Sequence, residues 1–149
     1  MAEQLVKFTT TSGVGVITLD RPEARNALTP EMVRQLGQAV ASCKRPDIRA
    51  VLMTGSGGAF CAGADVKGLV ETLENEGPEA LSQSIRELAD ALHTDVVLPL
   101  RRLNRPVVAG IQGAAAGAGF SLALAADLRV AAQNARFLMA YANIGAPAD

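Results

Sequence analysis

Strand-like and helix-like hydrophobic patterns alternate along this chain. Residues 4–10 and 13–19 read as two strands joined by a Thr-Thr-Ser-Gly turn, a hairpin signal. Residues 21–27 are polar and irregular, which predicts a loop. Thr29 has the chemistry of an N-cap, followed by Pro30 at the first helical position and Glu31 in the first turn. Met32, Leu36, Val40 and Cys43 then recur at helical spacing, so one apolar stripe runs along a helix that ends near Lys44-Arg45-Pro46. The apolar run at 49–54 predicts a buried strand, with a flexible turn at 55–58. A short helix is expected from about Asp65 to Leu73, a polar linker at 74–78, and a longer helix from Glu79. Leu81, Ile85, Leu88, Leu92, Val96, Leu100 and Leu103 carry the stripe of that longer helix, with Pro99 expected to bend it. A strand at 106–111, a helix at about 119–126 and a strand at about 127–131 complete the pattern.

The predicted order is ββ-α-β-α-α-β-α-β. Strands alternate with helices and lack clean polar alternation, which predicts an α/β fold with covered sheets in a single domain. A unit of strand, glycine loop and helix occurs twice, as expected for similar turns stacked into a superhelix. Residues 137–149 read as a loop with no closing helix after the last strand, so a chain shortened at its C-terminal end is expected.

Composition narrows the function classes. Of the 149 residues, 49% are hydrophobic and 19% charged, a globular balance. The formal net charge of −1 leaves no basic footprint for nucleic acid, and 3% aromatic content argues against base stacking. No apolar run has the length of a membrane span, and the first residues lack a secretion signal. Cys43 and Cys61 are too few for a disulfide framework or a zinc site, so no metal is expected and the reading is cytoplasmic.

The candidate chemistry lies in two glycine-punctuated loops, Phe60-Cys61-Ala62-Gly63-Ala64-Asp65 and Gly113-Ala114-Ala115-Ala116-Gly117-Ala118-Gly119. Each follows a predicted strand and leads into a predicted helix. The first N–H groups of a helix lack internal partners and lie at the positive end of its dipole. Two such loops converging on one point would hold a negative oxygen between two amides, which is an oxyanion hole. Small residues at 62–64 and 117–119 would let a ligand approach the main chain closely. Tight helix–strand packing is the alternative reason for Gly117 and Gly119.

Four segments together carry a family resemblance: Ile17-Thr18-Leu19-Asp20-Arg21-Pro22-Glu23-Ala24-Arg25-Asn26-Ala27-Leu28, Phe60–Val66, Gly113–Gly119 with Leu122-Ala123, and Ala126-Asp127-Leu128-Arg129. In this order and spacing the chain resembles the enoyl-CoA hydratase/isomerase (crotonase) family over essentially its whole length. The resemblance implies a ββα superhelix that binds an acyl-CoA thioester, with roles in fatty acid metabolism. Its reactions share an enolate whose oxygen is held by two backbone amides, and by position those are Ala64 and Ala118. Arg25, Ala27, Ala62, Asp65, Val66 and Gly117 match positions around the coenzyme A portion. Arg25 as a solvated loop charge and Asp65 as a plain helix-start acid remain the alternatives. No separate cofactor is implied, coenzyme A being part of the substrate. Relatives assemble as homotrimers or dimers of trimers and continue past the length of this chain.

The pattern departs from the family at one point. Hydratases of this family position water with two glutamates, and their places here hold Ser121 and Tyr141. Neither supplies a carboxylate near pH 7. The segment Ile144-Gly145-Ala146-Pro147-Ala148-Asp149 resembles isomerase branches, including the epoxyphenylacetyl-CoA isomerase type, in which an aspartate moves a proton. One carboxylate suffices for a 1,3-shift, because the same group removes and returns the proton. The resemblance thus implies Asp149 as proton carrier and favours an isomerase over a hydratase or other lyase. The alternative is a chain that binds a CoA thioester, or serves assembly, without turnover.

Overall fold

The computed structural model describes residues 3–141. Strands β1 (Val6–Thr11) and β2 (Val14–Leu19) form the expected hairpin, pairing antiparallel from Val6↔Leu19 to Thr11↔Val14. A short 3-10 turn at Pro22–Ala24 leads to α1 (Pro30–Ser42). The Thr29 side chain accepts a hydrogen bond from Met32 N at 3.1 Å, so the cap and Pro30 start α1 as their chemistry requires. Its buried stripe is Met32, Val33, Leu36, Ala39 and Val40.

Strand β3 (Ala50–Gly55) follows, then α2 (Val66–Glu76) and α3 (Pro78–Ala91). The linker expected at 74–78 is instead helix on both sides of Gly77, whose φ of +91° alone interrupts it. The long helix expected from Glu79 is also divided. A π-helical turn, Leu92–Val97, separates α3 from α4 (Leu98–Arg101), with Leu98 N donating to the His93 carbonyl. Leu88, Leu92, Val96 and Leu100 are spaced by four residues each, wider than the α period of 3.6. A π turn restores them to one face, and Leu92, Val96 and Leu100 are buried. The distortion includes Asp95, whose carbonyl Pro99 would have bonded in a regular α-helix and, lacking an N–H, cannot.

Strand β4 (Val107–Ile111) is followed by β5 (Ala114–Ala116), α5 (Ala118–Leu124), β6 (Leu128–Ala131) and β7 (Arg136–Leu138). Neither β5 nor β7 was expected from the sequence pattern. The main sheet has the order β1-β2-β3-β4-β6, parallel from β2 onward. Asp127 fixes its last crossover, accepting from Val107 N at 2.9 Å through Oδ2.

A second, thinner layer explains the superhelix. Strands β5 and β7 pair in parallel, with Ala116 opposite Leu138. Isolated parallel bridges Cys61↔Ala115 and Leu28↔Ala64 extend that layer across two more segments. Each turn of the chain thus makes a main-sheet strand, a sharp corner and a short extended piece in the second layer, and the first three turns end in a helix. The core lies between and around the layers, with Ile17, Leu19, Met53, Phe60 and Ile111 almost fully buried. Leu128 and Val130 of β6, and Phe137 and Leu138 of β7, are exposed. Among the described residues no helix is long and apolar enough to cross a membrane.

Candidate active site

The two glycine loops predicted from the sequence occupy neighbouring places in the second layer. Cys61 N donates to the Ala114 carbonyl at 2.9 Å, and Ala116 N returns a bond to the Cys61 carbonyl at 3.0 Å. On the other side, Leu28 N donates to the Gly63 carbonyl at 2.7 Å and Asp65 N to the Leu28 carbonyl at 3.0 Å. Residues 61–65 therefore lie between residues 25–28 and residues 114–118, held by backbone bonds to both.

This register decides where the Ala64 amide points. All described peptide bonds are trans, so each N–H opposes the preceding C=O. The Gly63 carbonyl faces Leu28, and the Ala64 N–H leaves toward residues 114–118. The Gly117 carbonyl accepts from Phe120 N at 2.9 Å and Ser121 N at 3.1 Å. The Ala118 N–H consequently points the other way, out of the start of α5. Neither amide donates a hydrogen bond to any described residue. The segments also approach closely: a Cβ placed on Gly63 would lie 2.8 Å from the Ala116 carbonyl oxygen and 3.6 Å from the Ala118 nitrogen.

Gly119 explains how α5 comes so near. A Cβ there would meet the Cys61 carbonyl oxygen at 2.3 Å and the Cys61 Cβ at 2.7 Å. Gly117, buried, donates from its N to the Leu138 carbonyl at 2.9 Å and ties the site to β7. The Phe120 and Phe137 rings, 5.3 Å apart between centroids, brace the same junction.

The residues predicted around the coenzyme A portion sit on the first two turns, except Gly117, which lies on the third at the start of α5. Arg25 is exposed, with a left-handed φ of +51°. Its carbonyl accepts from Ala62 N at 3.0 Å, while its guanidinium makes no hydrogen bond or ion pair with any described residue. Ala27 is buried, its N donating to the Ala24 carbonyl at 3.1 Å and its carbonyl accepting from Arg21 Nη1 at 3.2 Å. Asp65 caps α2 by accepting from Gly68 N at 3.4 Å and pairs with Arg21 Nη1 at 2.7 Å. Val66, the first residue of α2, is exposed. Asp149 lies outside the described residues.

Two positioning residues were missed by the sequence reading. Asn26 is fully buried, and its Nδ2 donates to the carbonyls of Ser56, Ala59 and Phe60 at 3.0, 2.9 and 3.2 Å. Its Oδ1 accepts from Arg21 N at 2.8 Å. One amide side chain thus satisfies the corner that delivers residues 60–65 to the site. Arg21 locks the same loop to Asp65. The available signal for Asn26 was its type, since Asn tolerates the left-handed φ of +56° found there.

The positions that departed from the family pattern meet each other. Ser121 Oγ and Tyr141 OH are hydrogen-bonded at 2.9 Å, and both residues are half-buried. Ser121 lies one helical turn beyond Ala118. It also lines an open cavity of about 740 Å³ between α5 and the π turn, with Leu92, His93, Val97, Arg101 and Leu124.

Cys61 sits beneath the site as a packing group. Its thiol donates to the Asn26 carbonyl at 3.1 Å, and burial pushes its pKa up to about 12. Burial also raises Cys43, to about 11. An unfolded thiol ionises near 8.5, so the unfolded chain sheds these protons first as pH rises. The stabilisation is fully present below about 8.5 and is lost as pH climbs toward the folded values. Dithionitrobenzoate is expected to find no fast-reacting thiol in the native protein at pH 8 and both after denaturation. A thiol reacting at once in the native protein would contradict this packing.

With the geometry in place, comparison with known proteins decides the family. The sequence profile described as enoyl-CoA hydratase/isomerase matches residues 9–149. The chain belongs to the enoyl-CoA hydratase/isomerase family. It is 41% identical to a probable enoyl-CoA hydratase of Rhodobacter capsulatus, over 100% of this chain and 54% of that protein. It is 37% identical to the 1,2-epoxyphenylacetyl-CoA isomerase of Escherichia coli, over 89% of this chain and 49% of that protein. A crystal structure of an enoyl-CoA hydratase/isomerase from Mycobacterium abscessus superposes with a TM-score of 0.86 at 40% identity, covering 97% of this chain and 54% of that one. The crotonase-like α/β fold expected from the sequence is therefore the fold of this enoyl-CoA hydratase/isomerase chain, which spans about half the length of the curated relatives it matches.

Proposed function

We propose that this enoyl-CoA hydratase/isomerase family member acts on acyl-CoA thioesters by stabilising an enolate between the Ala64 and Ala118 amides. One observation carries the reading. Two N–H groups on adjacent second-layer segments face away from their own hydrogen-bonding neighbours and have no partner among the described residues. As the α-proton leaves a thioester, negative charge gathers on the carbonyl oxygen. Donors already in place stabilise that charge without reorganising.

Within the family we favour the isomerase reading. Its support is the Ser121–Tyr141 pair, two neutral hydroxyls where the hydratase resemblance calls for carboxylates. The E. coli relative named an isomerase is in keeping with it. On this reading Asp149 carries the proton. The experiment is a side-by-side assay of 3-enoyl-CoA isomerisation and crotonyl-CoA hydration. Isomerisation is expected to exceed hydration. The opposite order would reject the isomerase reading, and coenzyme A affinity with neither turnover would favour a binding-only chain.

The free Arg25 guanidinium is assigned to a phosphate of coenzyme A. An exposed pair of this kind contributes about 0.2–1 kcal/mol, so Arg25→Ala is expected to weaken thioester binding up to roughly fivefold with kcat little changed. The difference should shrink at high salt. Titration of both proteins with an acyl-CoA at two ionic strengths checks it.

A further inference from the structure

The ion pair beside the Ala64 amide bears on charge as well as on shape. We infer that Arg21 is a positioning residue for the enolate: it neutralises the Asp65 carboxylate, which unpaired would repel the oxygen assigned to Ala64 and Ala118. This rests on the two-amide reading above.

Residues 63–65 are pinned from one side. Leu28 N donates to the Gly63 carbonyl at 2.7 Å, and the Leu28 carbonyl accepts from Asp65 N at 3.0 Å. Arg21 closes the end of that ladder, its Nη1 donating to the Ala27 carbonyl at 3.2 Å and to Asp65 Oδ2 at 2.7 Å. The other carboxylate oxygen, Oδ1, accepts from Gly68 N at 3.4 Å and caps α2. A negative charge is thereby fixed one residue from the Ala64 donor. Bond lengths alone keep it within about 10 Å of an oxygen held at the Ala64 N–H. The Arg21 and Asp65 side chains are only 22% and 19% exposed, so water screens that charge weakly.

An oxyanion hole works through fixed donors and dipoles aimed at developing negative charge. A carboxylate at the start of α2 suits the helix, because it meets the positive end of the dipole. The same placement cancels the positive potential that this terminus would lend to the neighbouring Ala64 donor. The Arg21 guanidinium, a permanent cation whose planar fork suits a carboxylate, offsets that loss. Removing it would leave Asp65 charged and without its partner. The resulting repulsion acts on an enolate and hardly at all on a neutral thioester, so enolate formation would suffer more than binding.

The test reads the enolate itself. Acetoacetyl-CoA ionises to an enolate that absorbs in the near ultraviolet, so a pH titration of the bound thioester gives its enolisation pKa. The coenzyme A portion is common to both forms, and its contacts therefore cancel. The wild-type protein is expected to hold that pKa below its value in free solution. Arg21→Met is expected to raise it by about one unit, roughly what Coulomb's law gives for one unpaired charge about 10 Å away at an effective dielectric of about 20. Asp65→Asn is expected to lower it, and the double variant to return it near the wild-type value. Arg21→Lys, which keeps the charge, should change it less than Arg21→Met. Thermal melting checks that the variants fold, and Asp65→Asn carries the test with the opposite sign if Arg21→Met does not. An unchanged pKa in Arg21→Met, or a rise shared alike by Arg21→Met, Arg21→Lys and the double variant, overturns the inference and leaves the two-amide reading standing. So does an Asp65→Asn variant whose pKa does not fall. A wild-type protein that binds the thioester without lowering its pKa overturns the two-amide reading as well, and one that does not bind it overturns the acyl-CoA reading.

Discussion

Replacing Ala118 by proline is expected to lower turnover of the favoured thioester reaction by 10²- to 10³-fold, on the order of 3–4 kcal/mol of transition-state stabilisation. Proline removes the one group in question, the N–H. Ala118 is the first residue of α5, where a helix makes no use of that N–H and proline is well tolerated. The preceding Gly117, at φ +49° and ψ −126°, lies outside the α region that a following proline disfavours. Ala118→Gly serves as the control, because it removes the methyl and keeps the donor. Steady-state kinetics on both variants separates the two contributions. If the proline variant turned over like the wild type, Ala118 would not be an oxyanion donor.

Gly119→Ala is expected to be the most disruptive single methyl addition at the site. The new carbon would overlap the Cys61 carbonyl at 2.3 Å, and main chain cannot yield as a flexible side chain can. Overpacking of this kind costs about 1–3 kcal/mol, which for a chain of this size lowers Tm by roughly 2–12 °C. Relief requires α5 to withdraw from residues 60–65, which would separate the Ala64 and Ala118 amides, so turnover should fall further than stability alone accounts for. Gly58→Ala is the matched control, since a Cβ there meets nothing within 4 Å. Calorimetry and kinetics on the pair measure both effects. Equal melting temperatures for the two variants would contradict the close contact.

Much of this arrangement was readable from residue types. Thr29 and Pro30 announced the start of α1, and its apolar stripe is buried as its spacing requires. The glycine loops marked the two segments that meet in the second layer. What escaped were pieces whose order comes from across the fold. Ala114–Ala116 is three alanines, with no alternation and no β-branched residue to signal a strand. It is extended because Cys61 lies on one side of it and β7 on the other. Arg136–Leu138 is likewise too short to announce itself. Glu74 and Glu76 looked like linker residues because they are polar, yet exposed helix needs no apolar face, and Gly77 alone breaks it. The four-residue spacing from Leu88 to Leu100 did hold a clue to the π turn, since it is too wide for a straight α-helix.

Asn26 shows the same limit at the site. Nothing in its neighbours' hydrophobicity foretells that one buried amide would satisfy three carbonyls of a corner thirty and more residues away. The meeting of Ser121 with Tyr141 was equally hidden, although both positions were singled out as departures. Their contact depends on the pairing of β5 with β7, which the sequence pattern did not reveal.

The central claim is that one thioester oxygen is shared between the Ala64 and Ala118 main-chain nitrogens. A crystal structure of the protein with a bound, non-reactive acyl-CoA analogue tests it most directly. The account expects the analogue's carbonyl oxygen at about 2.7–3.1 Å from both nitrogens. An oxygen that contacts neither nitrogen, or is held by other groups, would contradict it.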